Sequence, residues 1–496
     1  MSTRPDPAND LRKLLHEAIR GVTDMVERSH DQVAGHVVQA AGALGVGTQA
    51  EVIDTLRRAI TTASLLGVRG VNATVEVLGD AGFSTLRQVL GLGPAEGDAS
   101  RPLPPLRSDA LARPDGLADA ALGVLNGAFG DGLAQRSHGL DLGMHLRLGV
   151  AGPASATLLP TDPAALQQAL ATVLAGEAAS DAKAGVVVLL HGLAITEWGY
   201  CFGAAEHWGD PAVHFGALLE RELGLLPVYV RYNSGRAIAD NGAALAERLD
   251  ALHQALVDIE HAPKRICIVG HSMGGLVVRD ALARAIEAKA AWLPALDAVA
   301  CLGSPHHGAP LERVAAGLTA TLSRIPLPGA AIPAALLSLR SAGIRDLAHG
   351  DGARHISEAP RDGEEDLDDG WQAGDGEDVD THDEGLEAST EAKERPWRQR
   401  RWPELAHTRW LLIAGTVTPA VAQAPSAARA SHSVLGDGMV SIRSARADGW
   451  PDIAVERHTV PGVNHAQLPN HPDVYAFLRR FLAADASAAA DAKDPT

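Results

Sequence analysis

Apolar residues at Leu11, Leu14, Leu15, Ile19, Val22, Met25 and Val26 recur at the spacing of one helix face, with charged residues between them. Val52, Ile53, Leu56, Ile60, Leu65 and Leu66 repeat the pattern, so residues 1–100 are predicted to be a helical N-terminal region. The stretch "GDASRPLPPLRSDALARPDG" then breaks it, because proline removes a backbone donor and disfavours helix at the residue before it. Residues 101–182 read as a Pro-rich linker and lead-in segment, helical from Leu117 and then extended towards Leu148.

Beyond residue 185 the period changes. "GVVVLLHGL", "LPVYVRYNSG", "KRICIVGHS", "LDAVACLGSPHHG", "RWLLIAGTV" and "DIAVERHTV" are short β-branched runs, and amphipathic stretches such as "AALAERLDALHQALVDIEH" lie between them. Strands alternating with helices imply βαβ units, hence an α/β domain over residues 183–482 with a mostly parallel sheet covered by helices. Within it, residues 309–349 are apolar without a strand pattern and predict a helical cap, with plain packing of helices on the sheet as the alternative. Residues 350–395 have almost no aliphatic content and predict a disordered acidic insertion; residues 483–496 predict a disordered tail.

Charge sharpens that division. Of a net charge of −18, the segment from Asp351 to Glu394 supplies a local excess of fourteen acidic residues, so the remainder is only mildly acidic. No clustered Lys and Arg suggest a nucleic-acid partner. The three cysteines, Cys201, Cys267 and Cys301, cannot all pair, and they predict reduced core thiols and a cytoplasmic location. Neither a signal peptide nor a transmembrane segment is seen in the pattern.

Chemistry enters at Gly270-His271-Ser272-Met273-Gly274, a GxSxG pattern between a predicted strand and a predicted helix. Glycines two positions either side of the serine let strand and helix approach, and the turn lifts the Ser272 hydroxyl out of the sheet. A serine needs a base within hydrogen-bond reach. In chain order the histidine follows the last strand, which selects His465 in "TVPGVNHAQL", with His471 beside Pro472 as the rival. The acid belongs after the preceding strand, and Asp437 in "LGDGMVS" fits; a turn aspartate or a calcium ligand are the other readings of that residue, and Asp448 is the fallback acid. The backbone N–H groups of Met273 and Leu193 are the expected oxyanion donors, with His191 and Gly192 shaping the turn. Trp198, Tyr200 and Phe202 are candidates for lining an apolar pocket or for filling core. Arg231, Asn233 and Arg236 offer polar substrate contacts, but Asn233 and Gly235 read better as building the turn that leaves the strand, so no site is assigned there; His306 and His307 read as braces for a loop, with no third ligand at zinc spacing.

Taken together, "LLHGL", "VGHSMGG", "GSPHHGAPLER", "GDGMVS" and "VNHAQL" resemble the lipase and esterase branch of the α/β-hydrolase superfamily. "RYNSGRAIADNGAALAERL" followed by "LGSPHHGAPLER" looks like bacterial lipase-like hydrolases related to the GPI inositol-deacylases. The resemblance covers about Lys183 to Leu482 and implies an α/β-hydrolase fold and a carboxylic ester hydrolase. It implies Ser272 as nucleophile, Asp437 as acid and His465 as base, with an ester or lipid substrate and no cofactor. An acyltransferase or thioesterase would use the same groups. A different class of function, binding to a lipid or granule surface from the aqueous side, would rest on the N-terminal helices. The acidic insertion and the N-terminal region depart from the family pattern.

Overall fold

The computed structural model describes residues 103–136, 141–150, 157–175, 185–309, 341–349, 403–418, 436–450 and 455–483. The predicted N-terminal helices, the greater part of the predicted cap, the acidic insertion and the C-terminal tail lie outside these residues. In chain order the elements are α1 (Pro114–Arg136), β1 (Met144–Leu148), α2 (Pro163–Ala175), β2 (Gly185–Leu190), α3 (Ala204–Trp208), α4 (Phe215–Leu223), β3 (Leu225–Tyr232) and α5 (Ile238–Asp258). They continue with β4 (Ile266–His271), α6 (Met273–Ala288), β5 (Leu296–Leu302), α7 (Ala342–His349), β6 (Arg409–Thr416), α8 (Ile442–Ala445), β7 (Val455–Pro461) and α9 (Pro472–Ala483).

The strands form one seven-stranded sheet in the order β1-β3-β2-β4-β5-β6-β7. Only β1 runs antiparallel, on the edge beside β3. The segment 101–182 therefore contributes a strand of its own to the sheet. Strands β2, β3 and β4 are buried at every residue, which is why their sequences read as unbroken apolar runs rather than alternating ones. The outer strand β7 is half exposed and reads "VERHTVP".

Helices cover the sheet because their buried stripes match it. α5 buries Leu245, Leu249, Leu252 and Leu256, at helical spacing, and lies along α6, whose buried residues include Val277, Val278, Ala281 and Leu282. All three cysteines are buried and unpaired, and burial pushes each thiol up to about 12. They are inert at neutral pH.

Register aligns the ends of these strands. Leu190 pairs with Gly270, Gly270 with Cys301, and Leu302 with Ile413. The carboxyl ends of the central strands thus finish level with one another. Chain order reverses direction between β2 and β4, and in open α/β sheets the crevice beyond such a point is where ligands bind.

Candidate active site

The turn from β4 into α6 is tight enough to set its own composition. A Cβ on residue 270 would lie 2.6 Å from the Gly275 nitrogen, and one on residue 274 would lie 2.6 Å from the His191 carbonyl oxygen. Between these glycines Ser272 holds φ 55° and ψ −124°, outside the regions an L-residue ordinarily occupies. Its N–H donates to the Leu302 carbonyl at 2.8 Å, fixing the turn to β5. The strain falls on a serine between two crowded glycines, at the start of a 16-residue helix.

The other two sequence candidates meet each other, and the main chain of His465 reaches His271, the residue before Ser272. Nδ1 of His465 lies 2.7 Å from Oδ2 of Asp437, and the His465 N–H donates to the Asp437 carbonyl at 3.0 Å. Oδ1 of Asp437 accepts from the N–H groups of Met439 and Val440 at 3.0 and 2.8 Å. Because a carboxylate accepts, Nδ1 of His465 carries a proton, and in the neutral ring Nε2 is then the atom that presents a lone pair. That Nε2 is buried and has no hydrogen-bond partner among the described residues, so the hydrogen bond expected between the Ser272 hydroxyl and His465 is not formed in this structure.

Room for this pair comes from residue 303, just past β5. Gly303 has φ +62°, and a Cβ there would stand 3.0 Å from Oδ2 of Asp437, 3.2 Å from Nδ1 of His465 and 2.6 Å from a Leu468 methyl. The glycine sits inside "LGSPHHG", where nothing in the local sequence announces this role.

The turn after β2 approaches Ser272 from the other side: a Cβ on residue 192 would lie 2.9 Å from the Ser272 Cβ. His191 shapes it. Its Nδ1–H donates to the Gly192 carbonyl at 2.8 Å, its Nε2 accepts from the Tyr232 N–H at 3.3 Å, and its ring stacks on Tyr232. Burial pushes the His191 imidazole down to about 4, so it stays neutral. Ala194, at φ 58°, donates its N–H to the Ser234 hydroxyl at 2.9 Å. That N–H is thereby occupied, leaving Leu193, the residue before it, as the sequence candidate on this turn.

A charge cluster anchors the same turn from beneath. Glu197 is fully buried and accepts from Arg147 Nη1 at 2.7 Å and Arg231 Nε at 3.0 Å. Arg231 Nη1 also donates to Asp119 on α1 at 2.6 Å, and Trp198 Nε1 donates to the same carboxylate at 2.6 Å. Helix α1 comes so close that a Cβ on residue 127 would meet the Ala194 Cα at 2.5 Å. The sequence reading missed this cluster. Its signal was two arginines in strand-like apolar runs, "MHLRL" and "LPVYVRY", since buried arginines require partners.

Trp198, Tyr200 and Phe202 are buried in the main core, and the Tyr200 hydroxyl donates to the Leu190 carbonyl at 3.0 Å. They fill core rather than line a pocket. The rival residues stand elsewhere: His471 accepts from the Asp473 N–H at 3.2 Å and packs its ring on His207, while the Asp448 carbonyl accepts from His307 at 3.0 Å. His306 contacts Arg279 and the Trp450 ring, bracing the loop after β5. Among the described residues no group of three or more His, Cys, Asp or Glu is placed to hold a metal, and no helix is long and apolar enough to cross a membrane.

Residues 228–326 match the model of the PGAP1-like alpha/beta domain, a span that carries Ser272 and Met273 but neither Asp437 nor His465. No curated protein matches the chain. Among solved structures, a Bacillus licheniformis lipase in its mature form is 17% identical, over 60% of this chain and 91% of that one, with a TM-score of 0.35. The Bacillus subtilis naproxen esterase is 16% identical over 60% and 83%, with a TM-score of 0.28, and a Pyrococcus furiosus esterase 14% identical over 61% and 83%, with a TM-score of 0.32. By its sheet order and its strand-turn-helix serine, the chain has an α/β-hydrolase fold, and over residues 228–326 it is similar to the PGAP1-like alpha/beta domain.

Proposed function

We propose that the chain is a carboxylic ester hydrolase of the lipase and esterase type, working through an acyl-serine intermediate. The observation that carries this reading is the Asp437-backed His465, whose main-chain carbonyl is tied to His271, the residue before the strained Ser272. Nε2 takes the proton of the Ser272 hydroxyl as its oxygen attacks the ester carbonyl. Asp437 holds the tautomer and stabilises the imidazolium that forms. The carbonyl oxygen, now an oxyanion, accepts from the backbone N–H groups of Met273 and Leu193.

Collapse of the tetrahedral intermediate expels the alcohol, which takes its proton from His465 Nε2. Water then attacks the acyl-serine with the same histidine as base, releasing the acid and restoring Ser272.

Turnover of p-nitrophenyl esters from acetate to palmitate tests it. The expected result is a burst of p-nitrophenol equal to the enzyme concentration, wherever deacylation is the slower step, and steady hydrolysis thereafter. No hydrolysis at any chain length would overturn the reading.

A further inference from the structure

We propose that His271, the residue before the nucleophile, is a positioning residue that fixes the base His465 relative to Ser272. This inference rests on the hydrolase reading for its catalytic consequence. Its geometry stands independently.

The His271 Nε2–H donates to the main-chain carbonyl of His465 at 3.0 Å, and the two rings lie 4.9 Å apart, centroid to centroid. The N–H of His465 meanwhile donates to the Asp437 carbonyl at 3.0 Å. Both backbone polar groups of His465 are thus tied, one to its acid and the other to the neighbour of its nucleophile. The second tie is the only one of the two that refers His465 to the β4–α6 turn. Because that turn is fixed in its own right by the Ser272 N–H bond to Leu302, His271 transmits a fixed reference to the loop after β7.

The residue type supports a hydrogen-bonding role over simple packing. With the proton on Nε2, Nδ1 of His271 is an acceptor, and it is buried with no partner among the described residues. An unpartnered buried nitrogen is unfavourable, so a residue serving only to fill space there would better be an apolar one. Burial, reinforced by the neighbouring His465, holds the His271 imidazole well below the usual histidine range. The ring therefore remains neutral and does not oppose the positive charge His465 acquires when it takes the serine proton.

His271→Phe keeps the ring and removes the donor; His271→Asn is polar but too short to reach; His271→Gln restores an N–H near the Nε2 position. For p-nitrophenyl ester hydrolysis, Phe and Asn should lower kcat about tenfold or more with KM within about twofold, and Gln should recover most of the loss. Thermal unfolding establishes that each variant is folded, and Asn stands in for Phe should Phe not fold. Equal kcat in all four proteins, or equal losses in Phe, Asn and Gln, would overturn the proposal. If wild type hydrolyses no ester, the hydrolase reading fails, and NMR of 13C-labelled histidine rings still decides the positioning. A His465 signal displaced or broadened in Phe and Asn but not in Gln supports it, and one unchanged in every variant overturns it.

Discussion

Nδ1 of His465 stands 2.7 Å from Oδ2 of Asp437, whose other oxygen is held by the N–H groups of Met439 and Val440. An aspartate so held cannot rotate away, and it dictates which histidine nitrogen keeps its proton. Asp437→Asn offers an amide N–H or a neutral oxygen in place of the carboxylate and no longer stabilises an imidazolium. The expected loss in kcat is on the order of a thousandfold to ten-thousandfold, with the fold retained, measured by ester hydrolysis beside thermal unfolding. Asp448→Asn, at a residue whose carbonyl serves His307 instead, should leave kcat within about twofold, inside the range of ordinary surface changes.

Gly303→Ala tests the space around that pair. A methyl at φ +62°, 3.0 Å from Oδ2 of Asp437 and 3.2 Å from Nδ1 of His465, must displace one of them or the backbone. The left-handed conformation alone costs an alanine about 1–2 kcal/mol. Activity should fall by much more than stability does. Unfolding in urea and kcat, measured on the same protein, separate the two.

Glu197→Gln should destabilise the fold, by about 3–5 kcal/mol, because it leaves the Arg147 and Arg231 charges buried without their full counter-charge. Burial by itself would raise the Glu197 carboxyl, but Arg231 and Arg147 override it and hold the group at about 2. With the folded value depressed below the unfolded one, near 4.5, the carboxylate's stabilisation is fully present above pH 4.5 and is lost as pH falls towards 2. Urea unfolding across that range should therefore show a weaker acid dependence in Glu197→Gln than in wild type.

His191 and His214 act in a higher window. Burial lowers both to about 4, against 6.5 for a free imidazole, and holds the His271 ring well below 6.5 as well, so between those values the unfolded chain binds more protons than the folded one. Stability should be full above pH 6.5 and decline as pH falls towards 4, each group adding about 1.4 kcal/mol per pH unit across the window. The slope of unfolding free energy against pH measures it. A flat profile from pH 6.5 to 4 would show that these rings are not buried neutral.

The central strands were legible because each is buried on both faces, so that "VVVLL" and "ICIVG" declare themselves without any partner. Ser272 was legible because steric demands of the turn confine the positions two residues either side of it to glycine. β1 was harder: Arg147 breaks its apolar pattern, and the carboxylate that permits this, Glu197, lies 50 residues away. His465 and Asp437 could be nominated from chain order, while their 2.7 Å approach depends on the loops after β6 and β7 converging. What stayed hidden was the support: Gly303, the His271 tie and the charge cluster all depend on distances between segments remote in sequence.

The most direct measurement is labelling by a fluorophosphonate, with the modified peptide located by mass spectrometry, in wild type and Ser272→Ala. The triad assignment predicts one equivalent of label on Ser272 in wild type, none in the variant, and loss of ester hydrolysis alongside it. Label on another residue, or unlabelled wild type that is correctly folded, would contradict it.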